Sequence, residues 1–195
     1  MSTIENTAQA APVRRRGRPP KLEAGAILTA ATALLEQAGE DFSMRGLAQA
    51  MGVDPMAVYR YFPTKSALLD AVVANAFEAL DSATLPFAAG DDTQSKLIAV
   101  CSMYLKLACP VPALVRLMAR GAVGPAHVGR RFDALFELAV ADLGLSDAQY
   151  LLARDVVVDY LHGYALSGRS PDRGEWAAGI RLIHAGIAAG VSGLA

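Results

Sequence analysis

A cluster of side chains suited to bind phosphate lies in the first third of the 195-residue chain. Tyr59, Arg60, Tyr61 and Lys65 fall within seven positions. Phenol hydroxyls and cationic side chains donate hydrogen bonds to phosphate oxygens, and such contacts fix a protein's register on a duplex without reading its sequence. The cluster therefore indicates a nucleic-acid contact. The alternative is that Tyr59 and Tyr61 are ordinary core aromatics of a small helical domain.

A second basic cluster lies upstream. Five of the eight residues from 14 to 21 are basic and none is acidic, and the arginines are Arg14, Arg15, Arg16 and Arg18. The Arg-Gly-Arg-Pro core resembles an AT-hook, an extended strand that lies in the narrow minor groove of A·T-rich DNA. Proline keeps such a strand extended, and the narrow groove concentrates the negative potential that attracts arginine. The alternative is a basic tail that only solubilises or localises the protein. Both interpretations predict that residues 1–20 form a flexible basic arm.

Two short helices joined by a tight turn are expected to position the first cluster. A helix over residues 44–50 should end at Gly52, because glycine past a helix end can adopt the left-handed conformation that a sharp turn requires. Asp54 then suits an N-cap and Pro55 the first position of a second helix, over residues 55–61. Two helices joined in this way form a helix-turn-helix, whose second helix lies in the DNA major groove.

The segment from Leu22 to Leu69 resembles the N-terminal DNA-binding domain of the TetR family of transcriptional regulators. The family pattern is a helix-turn-helix that ends in Tyr-x-(His or Tyr)-Phe, then a short turn and Lys-x-x-Leu. It stands here as Tyr59-Arg60-Tyr61-Phe62 and Lys65-Ser66-Ala67-Leu68. The resemblance implies an all-α fold, with an N-terminal three-helix helix-turn-helix domain and a larger helical ligand-binding and dimerisation domain.

The resemblance also implies DNA contacts at eight positions. Phosphate contacts are implied for Ser43, Tyr59 and Lys65, and base-edge contacts for Arg45, Pro55, Met56, Ala57 and Tyr61. Many relatives have Ser or Thr where Asp54 stands, and polar groups at the next two positions. This chain therefore offers few hydrogen-bond donors to base edges. Apolar contact with thymine methyl groups is the expected mode for Met56 and Ala57.

Helical spacing of apolar residues continues through most of the chain, and no segment has the pattern of a strand. The first helix should span about 21–38, and a fourth should follow the Thr64 cap and continue to about residue 83. Ser146 to Gln149 is a capping box that should start a later helix. Further helices are expected at about 93–108, 112–122, 126–143, 147–168 and 174–190. The predicted domains are a basic arm (1–20), a DNA-binding domain (21–65) and an effector-binding and dimerisation domain (66–195).

The last two predicted helices contain many glycines and alanines. Glycine inside a helix costs about 1 kcal/mol relative to alanine, so its presence indicates close approach of a neighbouring helix. The TetR resemblance implies that the helices at 147–168 and 174–190 pair with their copies across a two-fold axis, which would make the protein a homodimer. Packing within one subunit only is the alternative.

Helices from 93 to about 160 would then enclose a small, largely apolar effector. The candidate lining residues are Met103, Tyr104, Leu107, Met118, Phe132, Phe136 and Tyr160. Aromatic and methionine residues at helical spacing are, however, more often plain core. His127 and His162 are the candidate polar contacts, and His162 lies one helical turn from Asp159. A hydrogen-bonded structural histidine is the alternative for each.

Composition limits the remaining classes of function. The net charge is −1, so DNA binding would depend on a focused patch rather than on a generally basic surface. No run of about 18 uncharged apolar residues could cross a bilayer, and the first dozen residues are not a signal peptide. We therefore expect a cytoplasmic protein with no membrane partner. The two cysteines and three histidines suggest no metal site or cofactor, and the sequence lacks hydrolase, metalloprotease and nucleotide-binding motifs, so no enzyme is expected.

These observations predict a DNA-binding regulator, most simply a ligand-responsive repressor that binds a palindromic double-stranded operator as a dimer and is released by its effector. The alternative is a ligand-independent DNA-binding architectural or adaptor protein. About 100 residues of additional helical domain argue against that alternative.

Overall fold

A computed structural model of the chain describes residues 22–80, 84–121 and 126–193, without the side chains at 40, 126, 127 and 191–193. Within these ranges the regular structure is helical, with nine α-helices and three short 3-10 helices. The α-helices are α1 Ala24–Ala38, α2 Met44–Ala50, α3 Pro55–Tyr59, α4 Lys65–Ala76, α5 Thr93–Ala108, α6 Pro112–Ala119, α7 Ala126–Val140, α8 Asp147–Leu166 and α9 Glu175–Gly193. The prediction of an all-α fold is confirmed.

Helix α1 supports the helix-turn-helix by packing on α2 and α4. Its buried face consists of Ile27, Ala31 and Leu35, which recur every four residues and have no exposed surface. Leu47 of α2 and Val58 of α3 are equally buried and belong to the same apolar core. Each of the two helices is too short to be stable alone, so both depend on this common core. The shared core also fixes the orientation of one helix relative to the other.

The fourth helix is shorter than predicted. The pattern predicts a helix to about residue 83, but α4 ends at Ala76. The next residues form tight turns, in which the N–H of Glu78 donates to the Asn75 carbonyl and the N–H of Leu80 donates to the Phe77 carbonyl. Phe77 and Leu80 are both buried, so both apolar side chains reach the core from the turn.

Other helix ends also differ from the predicted ones by one to three residues. Helix α1 begins at Ala24, α3 ends at Tyr59, α8 ends at Leu166, and α9 spans 175–193 rather than 174–190. Helix α6 ends at Ala119, before Gly121 with φ +64°. Helix α7 ends at Val140 and tightens into the 3-10 turn Ala141–Leu143, before a left-handed Gly144. The two glycines stop these helices because they adopt a backbone conformation that other residues resist.

Helix α5 is the centre of the larger helical domain and packs on α7, α8 and α9. Helix α6 packs on α8, and contacts of α6 with α1 and of α7 with α4 join the two parts of the chain. Lys96 of α5 is buried, and its ammonium is 2.7 Å from Asp142 in the turn after α7. The buried apolar residues of the described ranges form one continuous core. The positions of the predicted domain boundaries stay a prediction.

Candidate functional site

A tight turn sets the angle between α2 and α3. The N–H of Gly52 donates to the Gln49 carbonyl and the N–H of Val53 donates to the Ala48 carbonyl, both at 3.0 Å. This pair of bonds is a Schellman motif, which requires a left-handed residue just past the helix end. Gly52 supplies it with φ +65°. The predicted glycine turn is therefore confirmed.

The second helix starts with the predicted cap. A carboxylate oxygen of Asp54 accepts a 2.7 Å hydrogen bond from the N–H of Met56, and Pro55 occupies the first helical turn. Val58 faces α2 and is fully buried, whereas the Met56 side chain is 67% exposed and Arg60 is exposed. Helix α3 therefore presents its N-terminal residues to solvent, as a DNA-reading helix must.

The eight predicted DNA contacts in the described ranges are all accessible to some degree. Ser43, Arg45, Met56 and Tyr61 are exposed, and the other four, Pro55, Ala57, Tyr59 and Lys65, are half-buried. The individual roles of these residues stay predictions. The arginines of the basic arm, Arg14, Arg15, Arg16 and Arg18, lie outside the described residues.

Lys65 has an aromatic support that the sequence analysis missed. Its ammonium lies 4.7 Å from the centre of the Phe42 ring, and Phe42 is buried. A cation over an aromatic face is attracted by the ring's negative quadrupole. Phe42 directly precedes Ser43, whose hydroxyl accepts from the N–H of Gly46 at 3.0 Å. The contact thus brings together the start of α2 and the start of α4, which hold two of the predicted phosphate contacts.

The structure brings three of the seven predicted ligand contacts into one aromatic cluster. The Tyr104 ring lies 5.2 Å from Phe77 and 5.4 Å from Phe132, and Phe132 stacks on Phe136 at 6.0 Å. All four rings are buried and belong to the core. Phe77 directly follows α4. The cluster therefore joins the centre of the helical domain to the end of the helix that leaves the DNA-binding domain.

A polar pair lies at the edge of this aromatic cluster. The Tyr104 hydroxyl and Nε2 of His162 share a 2.7 Å hydrogen bond that links α5 to α8. Burial raises the pKa of the Tyr104 hydroxyl, so it stays protonated. Burial also lowers the pKa of His162, and the nearby Asp159 carboxylate opposes this shift in part. Burial of the ring therefore favours a neutral His162.

Acid should destabilise the protein through His162. The pKa of His162 in the folded protein lies below its ordinary value of 6.5. The unfolded chain therefore binds a proton more readily, and stability present above about pH 6.5 is lost as the pH falls through the lowered pKa. Denaturant titrations measure the free energy of unfolding of the natural chain and of His162→Gln. Between about pH 7.5 and about pH 5.5, the free energy of unfolding of the natural chain should fall more than that of the variant. An equal difference between the two proteins at both pH values would contradict this.

The other four predicted ligand contacts, Met103, Leu107, Met118 and Tyr160, are half-buried. Tyr160 has a structural task, since its hydroxyl donates to the Trp176 carbonyl at 3.0 Å. Its ring lies so close over Gly179 that a Cβ there would be 2.2 Å from the hydroxyl oxygen. This glycine is therefore explained by packing of α8 on α9 within one chain. Ligand contact stays a prediction for all seven residues, and the His127 side chain is not among those described.

Two grooves lie elsewhere on the helical domain. A groove of about 380 Å³ separates α8 from α9, and its mostly apolar lining includes Leu152, Val156, Ile183 and Ile187. A second, of about 570 Å³, lies between α7 and α8 and includes Glu137, Asp147 and Tyr150. Neither groove is lined by a predicted ligand contact.

Helices α8 and α9 carry much of the exposed apolar surface of the described residues. Among the described side chains, five of the nine exposed large hydrophobic ones lie on these two helices, namely Leu151, Leu152, Val156, Leu166 and Leu182. A Cβ added at Gly186 or Gly190, which line the groove between the helices, would meet nothing within 4 Å. Packing within the described part of the chain therefore does not require these two glycines.

No single helix of the described ranges is long and apolar enough to cross a membrane. Helices α5 and α6 together have the length and apolar composition of a membrane span, but the chain bends by 110° between them. Among the same residues, no group of three His, Cys, Asp or Glu side chains is placed to hold a metal ion.

Comparison with known proteins agrees with this architecture. Residues 27–72 match the family model for bacterial regulatory proteins of the tetR family. The chain is 31% identical over 138 residues to the HTH-type transcriptional repressor KstR of Mycolicibacterium smegmatis. The matched region covers 66% of this chain and 68% of KstR.

Solved structures share the fold. The crystal structure of Mycobacterium smegmatis BioQ is 24% identical, with a TM-score of 0.69 over 86% of this chain and 98% of BioQ. BioQ with its natural double-stranded DNA operator has a TM-score of 0.67 over 86% of this chain and 99% of that one. Streptomyces coelicolor ActR in complex with (S)-DNPA is 19% identical, with a TM-score of 0.68 over 87% of this chain and 98% of ActR.

A helix-turn-helix head joined to a larger all-helical body defines a DNA-binding transcriptional regulator. With the family model matched across the helix-turn-helix and a repressor homologue covered over two thirds of its length, the chain belongs to the TetR family. The family predicted from the Tyr59–Leu68 pattern is confirmed.

Proposed function

We propose that the protein is a homodimeric, ligand-responsive repressor that binds a palindromic operator and is released when an effector binds the helical domain. The observation that carries DNA binding is the reading helix α3, fixed by the Gly52 turn and the buried Val58, with Met56 and Arg60 facing solvent. Repression is assigned by likeness to KstR, which is named a repressor, and to BioQ, which has been solved on its operator.

Selection of bound sequences from a random pool of duplex DNA tests the proposal most directly. We expect a palindrome whose half-sites lie about one or two helical turns apart, because two copies of α3 would enter successive major grooves on one face of DNA. Recovery of unrelated sequences only would contradict operator binding, and a single unpaired half-site would contradict the dimer.

The exposed face of α8 and α9 supports the dimer. Leu152 and Leu182 are 67% and 77% exposed in one chain. Burial of such leucines against a second copy would remove apolar surface from water, which favours association. The open space at Gly186 and Gly190 would let a helix of a second copy approach closely. We therefore propose that these helices form the subunit interface.

The aromatic cluster supports a link between effector and DNA. A largely apolar ligand with one hydrogen-bonding group would suit the rings around Tyr104 and the polar pair that it forms with His162. Displacement of Tyr104 would press on Phe77, the residue that follows α4. The expected route therefore runs through α4 and the turn at Phe77, rather than through a continuous helix to residue 83.

Titration of candidate effectors against the operator complex tests ligand response. An effector can shift the protein between two conformers only by binding one of them more tightly. We expect at least one largely apolar compound to lower operator affinity, and we expect His162→Gln to change that compound's effective concentration. Operator affinity that no compound changes would favour the ligand-independent alternative.

Removal of residues 1–20 should weaken operator binding and flatten its salt dependence. Each neutralised phosphate contributes about 0.9 to the slope of log affinity against log salt, so loss of arm contacts reduces that slope. Fluorescence anisotropy over a salt series measures both effects. Exchange of the four arm arginines for lysine is the matched control, because it keeps the charge and should keep most of the slope. An unchanged slope after the deletion would contradict a DNA contact by the arm.

A further inference from the structure

The hydroxyl of Tyr61 makes a long-range contact that a direct DNA role does not explain. Tyr61 is 40% exposed, yet its hydroxyl donates a hydrogen bond to the carbonyl oxygen of Leu22. The backbone of Tyr61 is itself held in place, because its N–H donates to the carbonyl of the fully buried Val58 at 3.0 Å. Leu22 is half-buried and packs against the core. The bond therefore joins the end of the reading helix to the first residue that the structure describes.

Leu22 is also the residue that follows the basic run. A chain spans at most about 3.3–3.6 Å per residue, so the four residues that separate Arg18 from Leu22 give a reach of at most about 14 Å, and the eight that separate Arg14 from Leu22 a reach of at most about 28 Å. The DNA major groove is about 12 Å wide. From an origin beside the reading helix, these arginines can cross the flanking phosphate strand and reach the adjacent minor groove.

We propose that Tyr61 is a positioning residue for the basic arm. Its bond to Leu22 holds the origin of the arm beside α3, and so couples contacts in the major groove to arginine contacts in the neighbouring minor groove. The inference rests on the proposed binding of an operator. A hydroxyl has one proton, and while that proton is donated to Leu22 it is not available to a base edge or a phosphate. This role replaces the base-edge contact predicted for Tyr61.

The bond between Tyr61 and Leu22 is expected to raise the effective concentration of the basic arm near its DNA site. A segment attached at a fixed point near its binding site is held there at a higher local concentration than one whose attachment point moves. The net worth of one hydrogen bond corresponds to roughly a three- to tenfold change in an equilibrium constant. This change should appear in DNA affinity only while the arm is present.

A double-mutant cycle tests this directly. The four proteins are the natural chain, Tyr61→Phe, the chain without residues 1–20, and the chain with both changes. The probe is a duplex selected from a random pool, carrying an A·T-rich flank. We expect Tyr61→Phe to weaken binding by about three- to tenfold in the full chain and to leave binding of the shortened chain unchanged.

Tyr59→Phe is the matched control. It removes the same hydroxyl two residues earlier, from the residue that ends α3, and Tyr59 does not donate to Leu22 in the described contacts. Its loss should be the same with and without the arm, as a direct phosphate contact requires. Thermal unfolding of Tyr61→Phe checks that the fold is intact, which we expect because Tyr61 lies at the surface.

Several results would overturn the proposal. Equal losses from Tyr61→Phe in both backgrounds would make Tyr61 a direct DNA contact, and no loss in either would leave the bond to Leu22 without a role in binding. An arm deletion without effect would reject the anchor while leaving operator binding intact. If the pool gives no preferred sequence, operator binding fails, and the same cycle on A·T-rich and G·C-rich duplexes still decides the anchor, which predicts coupling on the A·T-rich duplex alone.

Discussion

Replacing Leu152 and Leu182 together by glutamate should convert the protein to a monomer and lower operator affinity by at least about a hundredfold. Burial of one leucine side chain contributes about 1.5–3 kcal/mol, and each substituted position occurs twice in a symmetric dimer. Both side chains are largely exposed in a single chain, so the change should leave the subunit folded. Sedimentation velocity measures the oligomeric state, and anisotropy at the same protein concentration measures operator binding.

Leu138→Glu is the matched control for this prediction. Leu138 lies on α7, is 45% exposed and lines neither of the two grooves. The substitution makes the same leucine-to-glutamate change at one exposed position outside α8 and α9 instead of two positions on them, so the protein should remain a dimer and keep its operator affinity. A double variant at Leu152 and Leu182 that stays dimeric would reject the α8 and α9 interface. A monomer that keeps full affinity would reject the need for a dimer.

Met56→Glu should lower operator affinity by about a hundredfold or more, because like charges brought together at an interface cost several kcal/mol. The Met56 side chain is 67% exposed near the start of the reading helix, and on the proposed operator it would lie between two phosphate strands. The fold should tolerate the change, since an acidic residue in the first turn of a helix is favourable. Anisotropy on the selected duplex measures the loss, and thermal unfolding measures the fold.

Met56→Gln separates charge from shape in this experiment. Glutamine matches glutamate in size and lacks its charge, so its operator affinity should stay within about tenfold of the natural chain. Similar losses for both substitutions would show that the methionine side chain itself matters, through contact with thymine methyl groups. Full affinity in Met56→Glu would remove α3 from the DNA interface.

Local signals in the sequence predicted several helix starts and the turn of the helix-turn-helix. Asp54, Thr64 and Ser146 all cap helices as predicted, and Gly52 adopts the left-handed turn. These features depend on residues within about five positions of one another, so side-chain chemistry and backbone conformation decide them almost alone. The pattern from Tyr59 to Leu68 in addition predicted that the chain belongs to the TetR family.

The end of the fourth helix needed information that a local pattern lacks. Apolar residues continue at helical spacing through Phe77 and Leu80, and the same spacing suits either a longer helix or a turn into the core. Tertiary packing decides between them, because both side chains are buried in the core and Phe77 lies against Tyr104 of the larger helical domain. The aromatic residues Tyr104, Phe132 and Phe136 pose the same problem, since one spacing serves a core and a binding pocket equally well.

The sequence by itself determined the all-α class, the helix-turn-helix and the family, because caps, turns and apolar periodicity act over a few residues. Only the tertiary structure paired Tyr61 with Leu22, Lys65 with Phe42 and Tyr104 with His162, across 39, 23 and 58 positions. Such pairs depend on how helices pack, and packing is a property of the whole core rather than of any short segment. The contacts proposed to position the arm, support a phosphate contact and link effector to DNA all belong to this second group.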